Sequence, residues 1–161
     1  MPPNPSLKQA AHDGPLKSNG RRRNGGGHEM SDRRSGAEVL AVKDGAQERP
    51  IPTTWRPVFR DIVNSFVEHD YCLKAGVSGV EAVSANTAAH IQKCIQNYGA
   101  SLVELPEETW DSSVCIWSGS HWDVLVDLWT QTEGRSDLVL SARVADVGPG
   151  FVFKIHMVYV P

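Results

Sequence analysis

Residues 105–140 constrain the fold of this chain more than any other stretch. Four of the five tryptophans lie there, and apolar and polar residues alternate with a period of two. This alternation predicts strands with one buried face, because successive side chains of a strand point to opposite sides of a sheet. The connections between the strands are short, so we expect an antiparallel meander, since a parallel crossover needs a dozen or more residues.

The same periodicity continues on both sides of this stretch. Pro106 ends the first predicted strand, and glycine-containing turns at 118–121 and 147–150 separate later ones. The predicted strands cover residues 101–105, 114–117, 122–129, 137–144 and 151–160.

Two helices precede these strands. Apolar residues recur at helical spacing over 54–69, with Thr54 as N-cap, and again over 85–98, where Ser84 is the N-cap and Gly99 the stop. We therefore predict an α+β fold, with two N-terminal helices packed on one face of a four- to five-stranded antiparallel β-meander.

Composition divides the chain near residue 50. Residues 1–49 contain no aromatic side chain, and their nine Lys/Arg and six Asp/Glu give a charge of +3. This predicts a disordered basic and glycine-rich tail, because such a segment buries too little apolar area to order itself. Residues 50–161 form the predicted single domain. Met30 is an alternative start of translation, which mass spectrometry of the native N-terminus would test.

The charge of the predicted domain indicates its class of partner. Seven Lys/Arg and thirteen Asp/Glu give residues 50–161 a charge of −6. This argues against binding of a nucleic-acid backbone and favours a basic protein or a small molecule as partner. No apolar run approaches the ~20 residues that span a bilayer, and no secretory signal begins the chain. We expect a soluble, cytoplasmic protein that does not contact a membrane.

Turn lengths give a trial register for the strands, and the register assigns each residue to a face. The predicted pairs are Trp117–Trp122, Cys115–Val124, Trp129–Asp137, Asp123–Arg143, Asp146–Phe151, Arg143–Lys154 and Ser141–His156. The predicted core face carries Trp117, Trp122, Val124, Val126, Leu128, Leu138, Leu140, Val144, Phe151, Phe153, Ile155, Met157 and Tyr159.

The opposite face is mixed, and it is the candidate interface. It carries Val114, Ile116, Val139, Val152, Val158 and Val160 beside its charged residues, which is more apolar than a solvated sheet face needs. A partner protein, a second copy, or segment 71–80 folding across this face would each explain it. The predicted interface residues, including an acidic loop beside a tryptophan, are Asp123, Leu125, Asp127, Trp129, Arg143, Trp110, Glu107 and Glu108.

The chemistry-bearing residues favour a structural role over catalysis. His156 could act as a general base with Asp127 or Asp123, but opposite charges across strands explain the same set. His121, Asp123 and His156 form a candidate pocket, without the spacing of a metal site. Nothing in the chain indicates a cofactor. The three cysteines lack C-x-x-C spacing, so we expect buried, inert thiols.

Several motifs in order resemble a family of small bacterial proteins described only as a domain of unknown function. The resemblance covers about residues 51–161, implies a bacterial stand-alone domain, and brings no activity, ligand or catalytic residues. The motifs are WRPVF (55–59), DY (70–71), YG (98–99), LPxxTW (105–110), WDVLVDLWT (122–130), EGRSDLVL (133–140) and VYVP (158–161).

Three functions are consistent with these observations, of which the last is contact between the basic tail of residues 1–49 and nucleic acid. The first is a non-enzymatic protein-interaction domain, with an immunity-like role in a toxin system as one form of it. The alternative is a small enzyme or ligand-binding protein with a pocket near His121, Asp123 and His156.

Overall fold

Five antiparallel strands form one sheet and follow one another across it in chain order. This description comes from a computed structural model, which describes residues 37–161. The strands are β1 (Arg49–Pro50), β2 (Val114–Trp117), β3 (Trp122–Thr130), β4 (Gly134–Asp146) and β5 (Phe151–Tyr159). The predicted α+β class and the antiparallel sheet are confirmed. The predictions for the N-terminal tail, including the alternative start at Met30, concern residues that lie mostly outside the described range.

Two α-helices accompany the sheet: α1 (Arg56–Val67), entered through a 3-10 turn at Thr53–Trp55, and α2 (Ala85–Tyr98). The bounds and caps of α2 are as predicted, with the Ser84 hydroxyl accepting the Thr87 N–H at 3.2 Å. Gly99 ends the helix with a φ of 86°. The prediction of two N-terminal helices was wrong, because β1 precedes both and α2 lies in the middle of the chain. β1 was not predicted, because a strand of two residues is too short to show an alternating pattern.

The core joins both helices to the inner face of the sheet, and its centre is aromatic. The ring of Trp55 lies edge-on to those of Trp122, Phe151 and Phe153, at centroid distances of 5.2, 5.3 and 5.9 Å. Trp117 and Trp122 meet across strands at 4.7 Å, as predicted. The helices contribute other fully buried side chains to the same cluster, namely Phe59, Ile62, Val63 and Ile91.

The register follows five of the seven predicted pairs. The confirmed pairs are Trp117–Trp122, Cys115–Val124, Asp123–Arg143, Arg143–Lys154 and Asp146–Phe151. Beside the turns at 118–121 and 147–150, the turn length determines the register, because the two strands leave the turn directly opposite each other.

A bulge on β5 overturns part of the predicted core. Ala142 faces Ile155 but Ser141 faces Met157, so His156 is an extra residue and not the partner of Ser141. One inserted residue exchanges the two faces of the strand beyond it. Met157 and Tyr159 are therefore only partly buried, and Val158 is completely buried instead.

A second irregularity lies on β4. Asp127 faces Val139 while Trp129 faces Arg135, so the predicted pair Trp129–Asp137 does not form. The buried Ser136 stabilises this irregularity. Its hydroxyl donates to the Leu128 carbonyl at 2.8 Å and accepts the Leu138 N–H at 3.1 Å. These hydrogen bonds do not change the alternation of apolar and polar residues in the sequence. The irregularity therefore could not be predicted from that alternation.

Two further segments touch the sheet without forming strands. The strand predicted over 101–105 is reduced to one bridge between Leu102 and Thr130. Residues before the predicted domain boundary also contact the fold, as Val39 and Thr53 exchange backbone and side-chain hydrogen bonds at 2.7 and 2.9 Å. Neither α1 nor α2 is long and apolar enough to cross a membrane, and the same holds for every helix in the described part of the chain.

The turn between β3 and β4 provides a test of this backbone. Gly134 has a φ of +77°, and an added Cβ would meet the Trp129 ring at 3.5 Å, an ordinary contact. We expect Gly134→Ala to lower the free energy of unfolding by about 1 kcal/mol through backbone strain alone. In Gly150→Ala, where φ is not positive and the space is open, we expect no loss or a small gain. Urea denaturation measures the free energy of unfolding of both variants. Equal losses would contradict the positive φ assigned to Gly134 alone of the two.

Candidate functional site

The outer face of the sheet, opposite the helices, is built around a polar row that crosses four strands. Ile116, Asp123, Arg143 and Lys154 are paired in sequence from β2 to β5. The Arg143 Nε lies 3.5 Å from Asp123 Oδ1, and both side chains are about half exposed, at 54% and 49%. At such exposure, this ion pair contributes little to stability and orients its two side chains.

Two mainly apolar rows lie beside the polar row. The first pairs Val114, Leu125, Ser141 and Met157, and the second pairs Asp127, Val139 and Tyr159. Val139 is 7% exposed, whereas the other apolar members are partly exposed. The bulge at His156 supplies Met157 and Tyr159, so this face is more apolar near β5 than the predicted register indicated.

Segment 71–80 does not account for this apolar face. Tyr71 and Leu73 are buried in the cluster that contains the helices, where Tyr71 lies 5.8 Å from the Phe66 ring. Val80 forms a parallel bridge with Phe153 at the edge of the sheet. Of the three explanations that the sequence left open, a partner protein and a second copy remain.

His121 and Asp123 meet at the end of the polar row. The His121 Nε2 is 3.2 Å from Asp123 Oδ1, and its Nδ1 is 3.0 Å from the Ser120 hydroxyl. The three residue types are those of a serine hydrolase, but Ser120 is exposed in a turn. A catalytic serine needs a binding cavity and oxyanion donors around it. The arrangement is a hydrogen-bonded turn.

His156 lies apart from His121 and Asp123. It is exposed in the β5 bulge, two strands from β3, on the opposite side of the Asp123 row from His121. At ~4.8 Å between strands and ~3.4 Å per residue, the two histidines are on the order of 10 Å apart or more. Within residues 37–161, no group of three His, Cys, Asp or Glu side chains could hold a metal ion.

Asp127 anchors the loop before β2. Its carboxylate accepts a hydrogen bond from the Ser112 hydroxyl, and its N–H donates to Ser113 Oγ at 2.9 Å. Its carbonyl accepts the Thr109 hydroxyl at 2.7 Å. Three hydrogen bonds therefore attach the loop before β2 to β3 at Asp127, beyond the last residue of β3 that pairs with β2. These hydrogen bonds give Asp127 a structural role.

The acidic loop places its tryptophan inside the fold. Trp110 is 5% exposed, and the guanidinium groups of Arg56 and Arg60 lie 5.6 Å from its ring. Glu107 forms an ion pair with Arg60, and Glu108 is exposed. The loop is thus a rim of carboxylates above a buried cation–π contact.

Trp129 lies over the next turn of the chain. It is partly exposed and packs against Gly134. Its indole Nε1 is buried and has no hydrogen-bond partner within the described region. The ring is held in place by packing at the end of the outer face.

Among residues 37–161, three cavities lie around the helices, and the sequence did not predict them. One of about 450 Å³ lies between the ends of α1 and α2, and one of about 600 Å³ lies beside the loop that follows α1. A third, of about 460 Å³, separates α2 from the end of β5. Each is lined by at least two separate segments of the chain, so the pattern within one segment does not reveal it.

Comparison with known proteins identifies the family. The model of a family described as a domain of unknown function, DUF7668, matches residues 63–161. The chain belongs to this family. The matched region begins within α1 and includes α2 and strands β2 to β5, so the outer face and the third cavity both lie inside it. No curated protein and no solved structure matches the chain. Membership establishes no activity, so function must be argued from the geometry.

Burial raises the pKa of two cysteine thiols in this protein. Cys115 is 3% exposed, and burial raises its pKa to about 11 despite the nearby Arg49. Burial also raises the pKa of the partly buried Cys94. The raised pKa holds Cys115 in its unreactive protonated form at neutral pH.

We expect Cys115 to react with a disulfide reagent at pH 8 about a hundredfold more slowly than an exposed thiol, since each pKa unit is a factor of ten in thiolate. The Cys72→Ser/Cys94→Ser variant isolates this thiol, and full reaction in denaturant is the control. Stability should also fall as pH rises from about 8.5, where the unfolded thiol ionises, toward about 11. Rapid native labelling of Cys115 would contradict its burial.

Proposed function

We propose that this protein is a non-enzymatic interaction domain that binds a protein partner through the outer face of its sheet. The supporting observation is the pair of apolar rows that contain Leu125 and Tyr159, partly exposed beside the charged row of Asp123 and Arg143. A sheet face that remains in water is normally polar.

The dimensions of the outer face fit this role. Four strands at ~4.8 Å spacing, over the nine-residue length of β3 and β5 at ~3.4 Å per residue, give a surface of about 19 by 30 Å. A stable interface of standard size buries about 800 Å² per partner. The face is therefore large enough to form the centre of an interface, with exposed Glu108 and Asp111 at its rim.

Charge favours a basic partner. The −6 charge of residues 50–161 attracts cationic surfaces at long range, which raises the rate of association. Among residues 37–161, Glu108 and Asp111 form no ion pair and can accept basic side chains. An immunity-like role, in which this acidic domain covers a basic toxin, is one form of the proposal.

A second candidate function is a small enzyme or ligand-binding protein that uses His121 and Asp123. The 3.2 Å contact between them favours it. His156, the third member of the predicted pocket, is in a different row and two strands away, which leaves a pair instead of a three-residue site.

Leu125→Lys tests the interaction proposal. Leu125 is central and partly exposed, and a lysine stem can extend along the surface, so the variant should fold. We expect tagged full-length protein to retain a partner from its native host, and Leu125→Lys to weaken that complex at least about tenfold, the effect of ~1.4 kcal/mol. As the control, Thr132→Lys introduces a lysine in an exposed turn, and this variant should bind the partner normally.

Light scattering after size-exclusion chromatography distinguishes a partner protein from a second copy of this chain on the outer face. A dimer that Leu125→Lys dissociates would assign the face to a second copy. A monomer that captures nothing, or a complex that Leu125→Lys leaves intact, would contradict the proposal.

A further inference from the structure

Tyr71 carries a polar group for which the fold provides no partner. The residue is 8% exposed, and its hydroxyl forms no hydrogen bond within residues 37–161. The hydroxyl is nevertheless not one of the side-chain atoms that are sealed from solvent without a partner. Buried polar groups normally have a partner, so this one must open into accessible space. Tyr71 lines two of the three cavities, which places its hydroxyl at the boundary of that space.

The walls of these two cavities differ in charge. The cavity of about 600 Å³ includes Lys74 and Asp70. The Asp70 carboxylate is already engaged there, because it accepts the N–H groups of Lys74 and Ala75 at 2.8 and 3.1 Å. The cavity of about 450 Å³ between the ends of α1 and α2, the helix-end cavity, is lined by no Lys, Arg, Asp or Glu among residues 37–161. A ligand in the helix-end cavity would therefore meet the Tyr71 hydroxyl without competition from a charged side chain.

The helix-end cavity has an apolar floor and a polar mouth. The side chains of Phe66, Ile95 and Leu102 line it and are buried, whereas those of Gln96 and Ser101 line it and are exposed. Small-molecule sites are typically mostly apolar clefts of about 300–1,000 Å³ with a few polar groups that orient the ligand. The helix-end cavity has this size and this kind of lining.

Both helices end at this cavity, which gives its interior a sign of charge. Val67 is the last residue of α1, Gly99 follows the last residue of α2, and both line the cavity. Neither carbonyl accepts a backbone hydrogen bond within the described part of the chain. The C-terminal end of a helix carries roughly half a negative charge, because its last carbonyls have no helical partner. Two such ends beside one cavity favour a cation and disfavour an anion.

Two aromatic rings add to the preference for a cation. The rings of Phe66 and Tyr71 lie 5.8 Å apart and are inclined by 32°, and both residues line the helix-end cavity. The face of an aromatic ring attracts a cation, most strongly where water is excluded. At longer range, the −6 charge of residues 50–161 also attracts cations.

We propose that the helix-end cavity binds a small organic ammonium ion, whose N–H groups donate to the Tyr71 hydroxyl and whose apolar body covers Phe66, Ile95 and Leu102. The site goes beyond the interaction through the outer face and does not depend on it. Its residues lie between 66 and 102, inside the region that matches the family. Burial raises the pKa of Tyr71, so the hydroxyl is uncharged at neutral pH and keeps its lone pairs as acceptors.

Binding of phenethylamine to the full-length protein, followed by NMR titration, tests the proposal. The controls are 2-phenylethanol and phenylacetate, which present the same ring with a neutral and an anionic group. We expect the amine to bind at least about tenfold more tightly than either control and to shift the amides of Gly99 and Leu102. An amine that does not bind, or binds no more tightly than a control, would overturn the proposal. Shifts confined to Lys74 and Ala89, which line the other cavity, would also overturn it.

Tyr71→Phe separates binding from folding, because it removes the hydroxyl and keeps the ring. The hydroxyl has no partner in the described part of the fold, so we expect an unchanged free energy of unfolding. The affinity for phenethylamine should fall at least about tenfold, since a hydrogen bond from a charged donor is lost. A destabilised variant that binds the amine as tightly as the parent protein would assign the hydroxyl to the fold and contradict the site.

Charge at the mouth of the cavity provides a matched pair of variants. Gln96→Lys should weaken binding of phenethylamine by about threefold or more, and Gln96→Glu should strengthen it by a similar factor. Asn86→Lys, in the exposed first turn of α2 and outside the cavity lining, should leave binding unchanged. The same effect from both Gln96 variants would contradict a cationic ligand. Leu125→Lys should bind the amine normally, so failure here is distinguishable from failure of the outer-face proposal.

Discussion

The edge-to-face contact between Trp55 and Trp122 is the interaction on which the rest of the structure depends. It joins the start of α1 to the centre of the sheet at 5.2 Å, and Phe151 and Phe153 complete the aromatic group from β5. Each such pair contributes about 0.5–1.5 kcal/mol beyond its buried area. The Trp122 indole also donates to the Val42 carbonyl at 3.1 Å, which attaches the segment before β1.

The bulge at His156 connects this core to the outer face. Phe151, Phe153 and Ile155 face the helices before it, and Val158 does so after it. The exchange of faces moves Met157 and Tyr159 to the outer face and buries Val158 completely. One extra residue therefore enlarges the apolar outer face while β5 keeps its contribution to the core.

The candidate site was predictable only in part. Asp123 and Arg143 pair as predicted, because the irregularity between Asp127 and Trp129 offsets a turn that is tighter than the predicted loop over 130–136. His156 could not be placed, since the bulge that holds it is invisible to a pattern of period two. Trp110 could not be placed either. Its burial depends on Arg56 and Arg60, which are about fifty residues away in the chain.

The sequence by itself determined the α+β class, the bounds of α2 and the order of the long strands, because these follow from local periodicity, caps and turns. Only the tertiary structure decided the role of β1, the two strand irregularities, the burial of Trp110 and the cavities around the helices. These depend on which distant segments meet, and on backbone hydrogen bonds whose partners no local pattern encodes.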